Sequence, residues 1–220
     1  MFYQYFKNQK QNCYMCDSPA ISGEHIPPNC FFTKRIKDEL KKDLLKVPSC
    51  KKHNHDTTLD DEYSRLVLAA GCSNLKISHE LFFENILPKA HAYGGSKLLQ
   101  SLHNIMQPVI IETESKFTEL MYKFKIDKDR INILFKKIIF GIFWHHRGFR
   151  IPDNYNPIIF FKNQIPSNLQ NYINIHKTYI LGHEEVLQYK FIEVETDNNQ
   201  IYIAIIIFNT FLIQGFILKN

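Results

Sequence analysis

The chain has 220 residues, 45% of them apolar and 14% aromatic, which is ordinary for one or two compact domains with a substantial core. A formal net charge of +5 and a pI near 8.8 are compatible with a polyanionic partner but do not name one. Five cysteines are an odd number for a disulfide framework, and the first sixteen residues lack the apolar core of a signal peptide. The expectation is a reducing, cytoplasmic setting, where Cys-x-x-Cys more often means metal than disulfide.

Residues 1–12 read as a polar and aromatic lead-in. Residues 13–56 are rich in Cys, Pro, Lys and His, with short strands expected around Glu24-His25 and at 44–48. From 34 to 52 the chain is dense in cations: Lys34, Arg35, Lys37, Lys41, Lys42, Lys46, Lys51 and Lys52. Interleaved Asp38, Glu39 and Asp43 allow a solvated face. The alternative is a patch gripping phosphate, with Lys46, Lys51 and Lys52 as the substrate-binding candidates.

Thr58, followed by acids and then apolar residues at helical spacing, predicts a capped helix that Gly71 ends. Within it Asp61 lies seven positions after Asn54. It could aid a metal through water, but the preferred role is electrostatic support of the helix N-terminus. Residues 77–87 and 97–105 look helical, broken by Pro88 and Gly94-Gly95. Residues 128–146 give the clearest helix, with Ile131, Leu134, Phe135, Ile138, Ile139, Ile142 and Phe143 on its apolar stripe. Gly148 and Pro152 stop it, and Trp144 reads as core. His145-His146-Arg147 at its end suit the helix dipole, with a DNA contact as the alternative.

The remainder reads as strands at 186–195, 201–208 and 211–218, with a turn at Asp197-Asn198-Asn199. Residues 201–218 imitate a membrane span in length. However, Asn209-Thr210 interrupts the run and its residues are β-branched or aromatic, so two buried strands joined by a tight turn are expected, with no membrane partner. A composition shift near residue 75 divides the chain into 1–75 and 76–220. Cys30 and Cys72 read as small buried hydrophobes. His79, His91, His103, His176 and His183 are isolated and carry no assigned chemistry.

The chemistry concentrates in the first quarter. Cys13-x-x-Cys16 and Cys50-x-x-His53 are two knuckles separated by about thirty residues, and together supply the four soft ligands of a structural zinc ion. His55 is an alternative fourth ligand, and merely buried thiols are the alternative to zinc. Between the knuckles stand Glu24 and His25, and Asn54 directly follows the second. A histidine can take a proton from water near neutral pH. A carboxylate and an amide oxygen can hold a hard cation such as Mg²⁺ or Mn²⁺. If the zinc staple brings Asn54 beside Glu24, these three residues hold what phosphodiester hydrolysis requires.

At these residues the chain resembles the HNH, or ββα-metal, nuclease family, in particular its zinc-stapled branch. The match covers roughly residues 10–70. The resemblance implies an α+β chain: a zinc-stapled ββα nuclease module at 1–75, and at 76–220 an α+β accessory domain of helices and antiparallel sheet for substrate, dimer or partner contacts. It implies His25 as general base, Glu24 and Asn54 as ligands of the catalytic ion, and Cys13, Cys16, Cys50 and His53 as zinc ligands. It implies a nucleic-acid substrate, DNA foremost. Some similar bacterial proteins are suspected of acting against phages or mobile DNA, and a regulating protein partner or a homodimer fits that role. The chain departs from the family in having His as last zinc ligand and Glu rather than Asp as the acid. The middle asparagine of the motif has only Asn29 as nearest candidate, off the usual position. The competing expectation is a zinc-ribbon module that binds nucleic acid or protein without catalysis.

Overall fold

The first strand sets the geometry of everything around it. In β1 (Ser22–Ile26) successive side chains face opposite sides, and Glu24 and Ile26 are buried while His25 between them is half-exposed. β1 pairs antiparallel with β2 (Leu45–Ser49), with His25 opposite Lys46 and Glu24 opposite Val47. The computed structural model describes residues 11–32, 44–71, 76–88, 100, 103–112, 118–153, 155–161, 171, 173–194, 200–208 and 211–219. Among these, helices mix with antiparallel sheet, an α+β architecture.

After β2 come the short α1 (Lys51–Asn54) and α2 (Thr58–Gly71), the latter as expected from its sequence. α3 (Lys76–His79) continues as a π-helical stretch over Glu80–Ile86. A hairpin of β3 (Met106–Glu112) and β4 (Thr118–Phe124) follows, and neither strand was expected. Pro108 inside β3 speaks against a strand in sequence, yet among the described residues β3 pairs with β4 alone, and an edge strand tolerates a missing N–H on its unpaired side. The same holds for β5 (Tyr155–Phe161), which contains Pro157 and forms one edge of the five-stranded sheet. Its strand order is β5-β9-β8-β7-β6, where β6 is Tyr179–Ile180, β7 Leu187–Val194, β8 Gln200–Ile207 and β9 Phe211–Lys219. The apolar run at 201–218 is therefore β8 and β9, with Phe208 in a left-handed conformation (φ 49°) at the turn. No helix among the described residues is long and apolar enough to cross a membrane. The turn expected at 197–199 lies outside the described residues.

The central element is α4 (Lys128–Arg147). Asp127 caps it, its Oδ1 accepting from the N–H groups of Asp129 (3.1 Å) and Arg130 (3.3 Å), and Gly148 ends it in the left-handed conformation (φ 75°). Ile131, Leu134, Phe135, Ile138, Ile139 and Ile142 are all buried, each contributing roughly 1.5–3 kcal/mol relative to exposure. Trp144 is only partly buried against this core. One continuous buried cluster takes in Cys13, Ile26, Leu66, Ile138, Leu187 and Phe208, so side chains from both sides of residue 75 share it.

Residues 130, 137 and 141 of α4 meet the N-terminal elements. Arg130 Nε bonds Asp60 Oδ1 at 2.8 Å, and its guanidinium lies 4.2 Å from the centre of the Tyr63 ring. The Tyr63 hydroxyl accepts the Asp127 N–H at 2.8 Å. Gly141 is where α4 crosses β1: a Cβ there would lie 2.5 Å from Ile26 Cγ1. Ile26 is fully buried and has little room to yield. Gly141→Ala should therefore destabilise by about 1–3 kcal/mol through overpacking, although alanine is the better helix former. Urea midpoints check this; a Gly141→Ala protein as stable as wild type would mean that the close approach does not exist.

Candidate functional site

The two knuckles converge. The first is a loop closed by the Asn12–Pro19 bridge and pinned to β2 by the Tyr14 N–H, which donates to the Pro48 carbonyl at 2.8 Å. The second begins with Cys50 at the head of α1. Donor atoms of Cys13, Cys16, Cys50 and His53 all lie within 4.8 Å of one another, so these four residues can hold one metal ion. His53 joins through Nδ1, 3.4 Å from Cys13 Sγ and 3.3 Å from Cys50 Sγ, and Cys16 and Cys50 sulfurs are 3.8 Å apart. Zinc bonds of about 2.3 Å to sulfur and about 2.0 Å to nitrogen, at tetrahedral angles, place neighbouring ligands about 3.5–3.8 Å apart. The donor set and its spacing thus fit zinc. His55 is exposed and outside the cluster, and the cluster cysteines converge rather than being scattered buried thiols.

The thiols are tuned unequally. Burial pushes Cys16 up, but hydrogen bonds from the side chain and backbone of Ser18, together with Cys50 and His53, bring it down to about 7. Burial pushes Cys50 up, and the neighbouring Cys13 adds to this. Cys30 is apart from the cluster; burial raises its thiol to about 12, the behaviour of an inert structural cysteine. Cys72 lies outside the described residues.

His25 and Lys46 are a cross-strand pair on the outer face of β1–β2. The Lys46 stem lies over Gly23, where a Cβ would collide with Lys46 Cε. The Asn29 amide sits 2.8 Å from His25 Nδ1. Asn29 thus orients His25, although it stands outside the motif's usual position. The loop between them contains Ile26-Pro27-Pro28, with a cis peptide at Ile26–Pro27, and Asn29 opens a short 3₁₀ turn. Spacing rules miss this contact because they assume a regular turn. Lys51 and Lys52 are exposed on α1, next to the knuckle, while Lys34, Arg35, Lys37, Lys41 and Lys42 lie outside the described residues.

Asn54 does reach β1: its Nδ2 donates to Ser22 Oγ at 2.8 Å and lies 3.5 Å from the Gly23 carbonyl oxygen. Glu24, on the inner face, goes elsewhere. Its Oε1 is 3.5 Å from Lys137 Nζ, which also donates to Asp61 Oδ2 at 2.6 Å and to Thr57 Oγ1 at 3.0 Å. Thr57 in turn donates to the Asn54 carbonyl at 3.2 Å, so Asn54 connects to Glu24 through Thr57 and Lys137. Glu24, Asp61 and Lys137 are 4%, 6% and 1% exposed. Burial raises the Glu24 carboxyl to about 7 despite the lowering influence of Lys137, and burial also raises Asp61. Tyr14, fully buried beside both acids, is pushed well up by burial and by their charge. Asp61 does lie in the first turn of α2, as expected, and its Oδ2 also pairs with Lys137.

Sequence reading missed Lys137. It lies on the flank of the α4 stripe beside Leu134 and Gly141, where a lysine ordinarily reaches out to solvent. The acids that hold it inside are supplied from β1 and α2, 76 residues distant in the case of Asp61. The histidines at the end of α4 are also engaged: His146 Nε2 lies 3.0 Å from the Tyr189 hydroxyl, with its ring stacked on Phe191, and Arg147 pairs with Glu193 at 2.6 Å. No family model, curated protein or solved structure matches this chain.

Proposed function

We propose that this protein is a metal-dependent nuclease of the HNH type, cutting phosphodiesters in nucleic acid, DNA foremost. The observation that carries the reading is His25 on the outer face of β1, with its Nδ1 2.8 Å from the Asn29 amide, in a β1–β2–α1 unit whose Cys13, Cys16, Cys50 and His53 can hold a metal ion. A half-turn of that amide presents its oxygen to Nδ1, so that Nδ1 holds the proton and Nε2 is the basic nitrogen. Nε2 would then take the proton of an attacking water, and Asn29 would keep the ring from turning away. Lys46 stands beside His25 to meet a phosphate, and Lys51 and Lys52 extend the positive surface along α1. Glu24 and Asn54 would hold the divalent ion, which when bound supplies positive charge against the scissile phosphate and the leaving 3′ oxygen. The buried Glu24 Oε2, which has no hydrogen-bond partner among the described residues, is a donor suited to such an ion. A role in defence against phages or mobile DNA, and a protein partner or second copy that regulates cutting, belong to the same proposal.

A second reading has its own support. Glu24 faces inward to Lys137 while His25 faces outward, so acid and base lie on opposite sides of β1. This favours a zinc-stapled binding module without catalysis, in which Glu24 is purely structural. Plasmid nicking with Mg²⁺ or Mn²⁺ separates the two. Wild type should nick, and His25→Ala should lose about 10²–10⁴-fold in rate while retaining its zinc and its melting temperature. If wild type and His25→Ala are equally inert with either metal, the binding module stands.

A further inference from the structure

We infer that Glu24 and Asp61 together form a two-carboxylate cation site, which the ammonium of Lys137 fills in this structure. Asp61 is then a second carboxylate ligand for a divalent ion, and Lys137 is the tethered cation such an ion must displace. The use of the ion in catalysis rests on the nuclease reading; the site itself rests on geometry.

Three observations converge. Both carboxylates face one nitrogen, Glu24 at 3.5 Å and Asp61 at 2.6 Å, so they are directed at a single cationic position. Both are more than nine-tenths buried, and Lys137 engages only one oxygen of each. Among the described residues Glu24 Oε2 and Asp61 Oδ1 have no hydrogen-bond partner, which leaves ligand capacity that a single ammonium does not use. Finally, one ammonium holds both acids in the interior, where burial raises both carboxyls, and a divalent ion in its place would favour their ionised forms more strongly. Carboxylate oxygens are the donors that Mg²⁺ and Mn²⁺ prefer.

Thr57 and Asn54 join the site to α1. Lys137 hydrogen-bonds Thr57, and Thr57 bonds the Asn54 carbonyl, so withdrawal of the lysine removes one tie from the turn that follows Asn54. The ion and the long helix α4 therefore compete for the same two acids. Any partner that shifts α4 alters the affinity for the ion, and by linkage the ion alters the affinity for that partner.

Mn²⁺ binding to zinc-loaded protein, followed by electron paramagnetic resonance and by the rise in melting temperature with Mn²⁺, tests this. Lys137→Met should bind Mn²⁺ at least tenfold more tightly than wild type. Asp61→Asn, in which Lys137 keeps Glu24 as a partner, should bind at least tenfold more weakly than wild type, and Lys137→Met/Asp61→Asn should lose the gain. Lys137→Met binding no more tightly than wild type, or Asp61→Asn within twofold of it, would overturn the inference. If Lys137→Met does not fold, the Asp61→Asn comparison decides. Nicking assays on the same proteins separate the two proposals. Mn²⁺ bound through Glu24 and Asp61 without nicking leaves this site standing and removes the nuclease. Nicking and Mn²⁺ affinity both unchanged in Asp61→Asn do the reverse.

Discussion

Replacing Cys50 with serine should abolish zinc binding and unfold the segment from Cys13 to Asn54. Among the described residues this unit has little regular structure of its own. β1 and β2 are five residues each, and α1 is four. An isolated two-stranded sheet is marginal in water, and a single helical turn does not persist without tertiary support. Structural zinc in comparable small units binds with an apparent free energy of about 10–16 kcal/mol near neutral pH, and that energy is folding energy. Cys50 contributes doubly, since its sulfur faces both Cys16 and His53 and its backbone starts α1. Elemental analysis should find stoichiometric zinc in wild type and in a His55→Ala control, and none in Cys50→Ser. Circular dichroism melts should show the variant and chelator-stripped wild type losing stability alike. Zinc retained by Cys50→Ser, or wild type melting at the same temperature with and without zinc, would remove the staple.

The four-donor cluster was legible because its spacing is local in sequence: a two-residue gap places two donors side by side whatever the rest of the chain does. The helices at 58–71 and 128–147 were legible for a similar reason, since a stripe at 3.6-residue spacing with Gly71 or Gly148 behind it leaves few alternatives. β3 and β5 were hidden by Pro108 and Pro157, which argue against a strand until the sheet topology shows which side of each strand is paired. At the site itself, alternation along β1 separates Glu24 from His25, and that follows from period two once a strand is accepted there. What no local pattern carries is the partner of a buried charge. Lys137 looks like a surface lysine until β1 and α2 are packed against α4, and Asp61 looks like a helix-terminus acid for the same reason. The Asn29–His25 contact depends on the path of two prolines, which is also invisible to spacing.

Removing the charge of Lys137 should be the most damaging single substitution in the buried core. With Lys137→Met the methylene stem is largely conserved, so the loss is electrostatic rather than one of volume. Asp61 loses a 2.6 Å partner and Glu24 a 3.5 Å one, both in the interior. Breaking a buried pair from one side costs about 3–5 kcal/mol, because the abandoned charge cannot return to water. Protonation limits the damage at Glu24, whose carboxyl burial has already raised to about 7, and so the cost falls chiefly on Asp61. The ordering of variants follows. Glu24→Gln leaves Lys137 and Asp61 as a matched pair and should cost less than about 1 kcal/mol or stabilise slightly. Asp61→Asn leaves the longer contact to Glu24 and should fall between the two. The triple variant Lys137→Met/Glu24→Gln/Asp61→Asn carries no buried charge here and should recover most of the loss, since neutral packing commonly matches a buried ion pair in stability. Urea unfolding of zinc-loaded proteins without added divalent ion measures all four. A triple variant no more stable than Lys137→Met would mean that the lysine contributes by packing alone and that the acids do not depend on it.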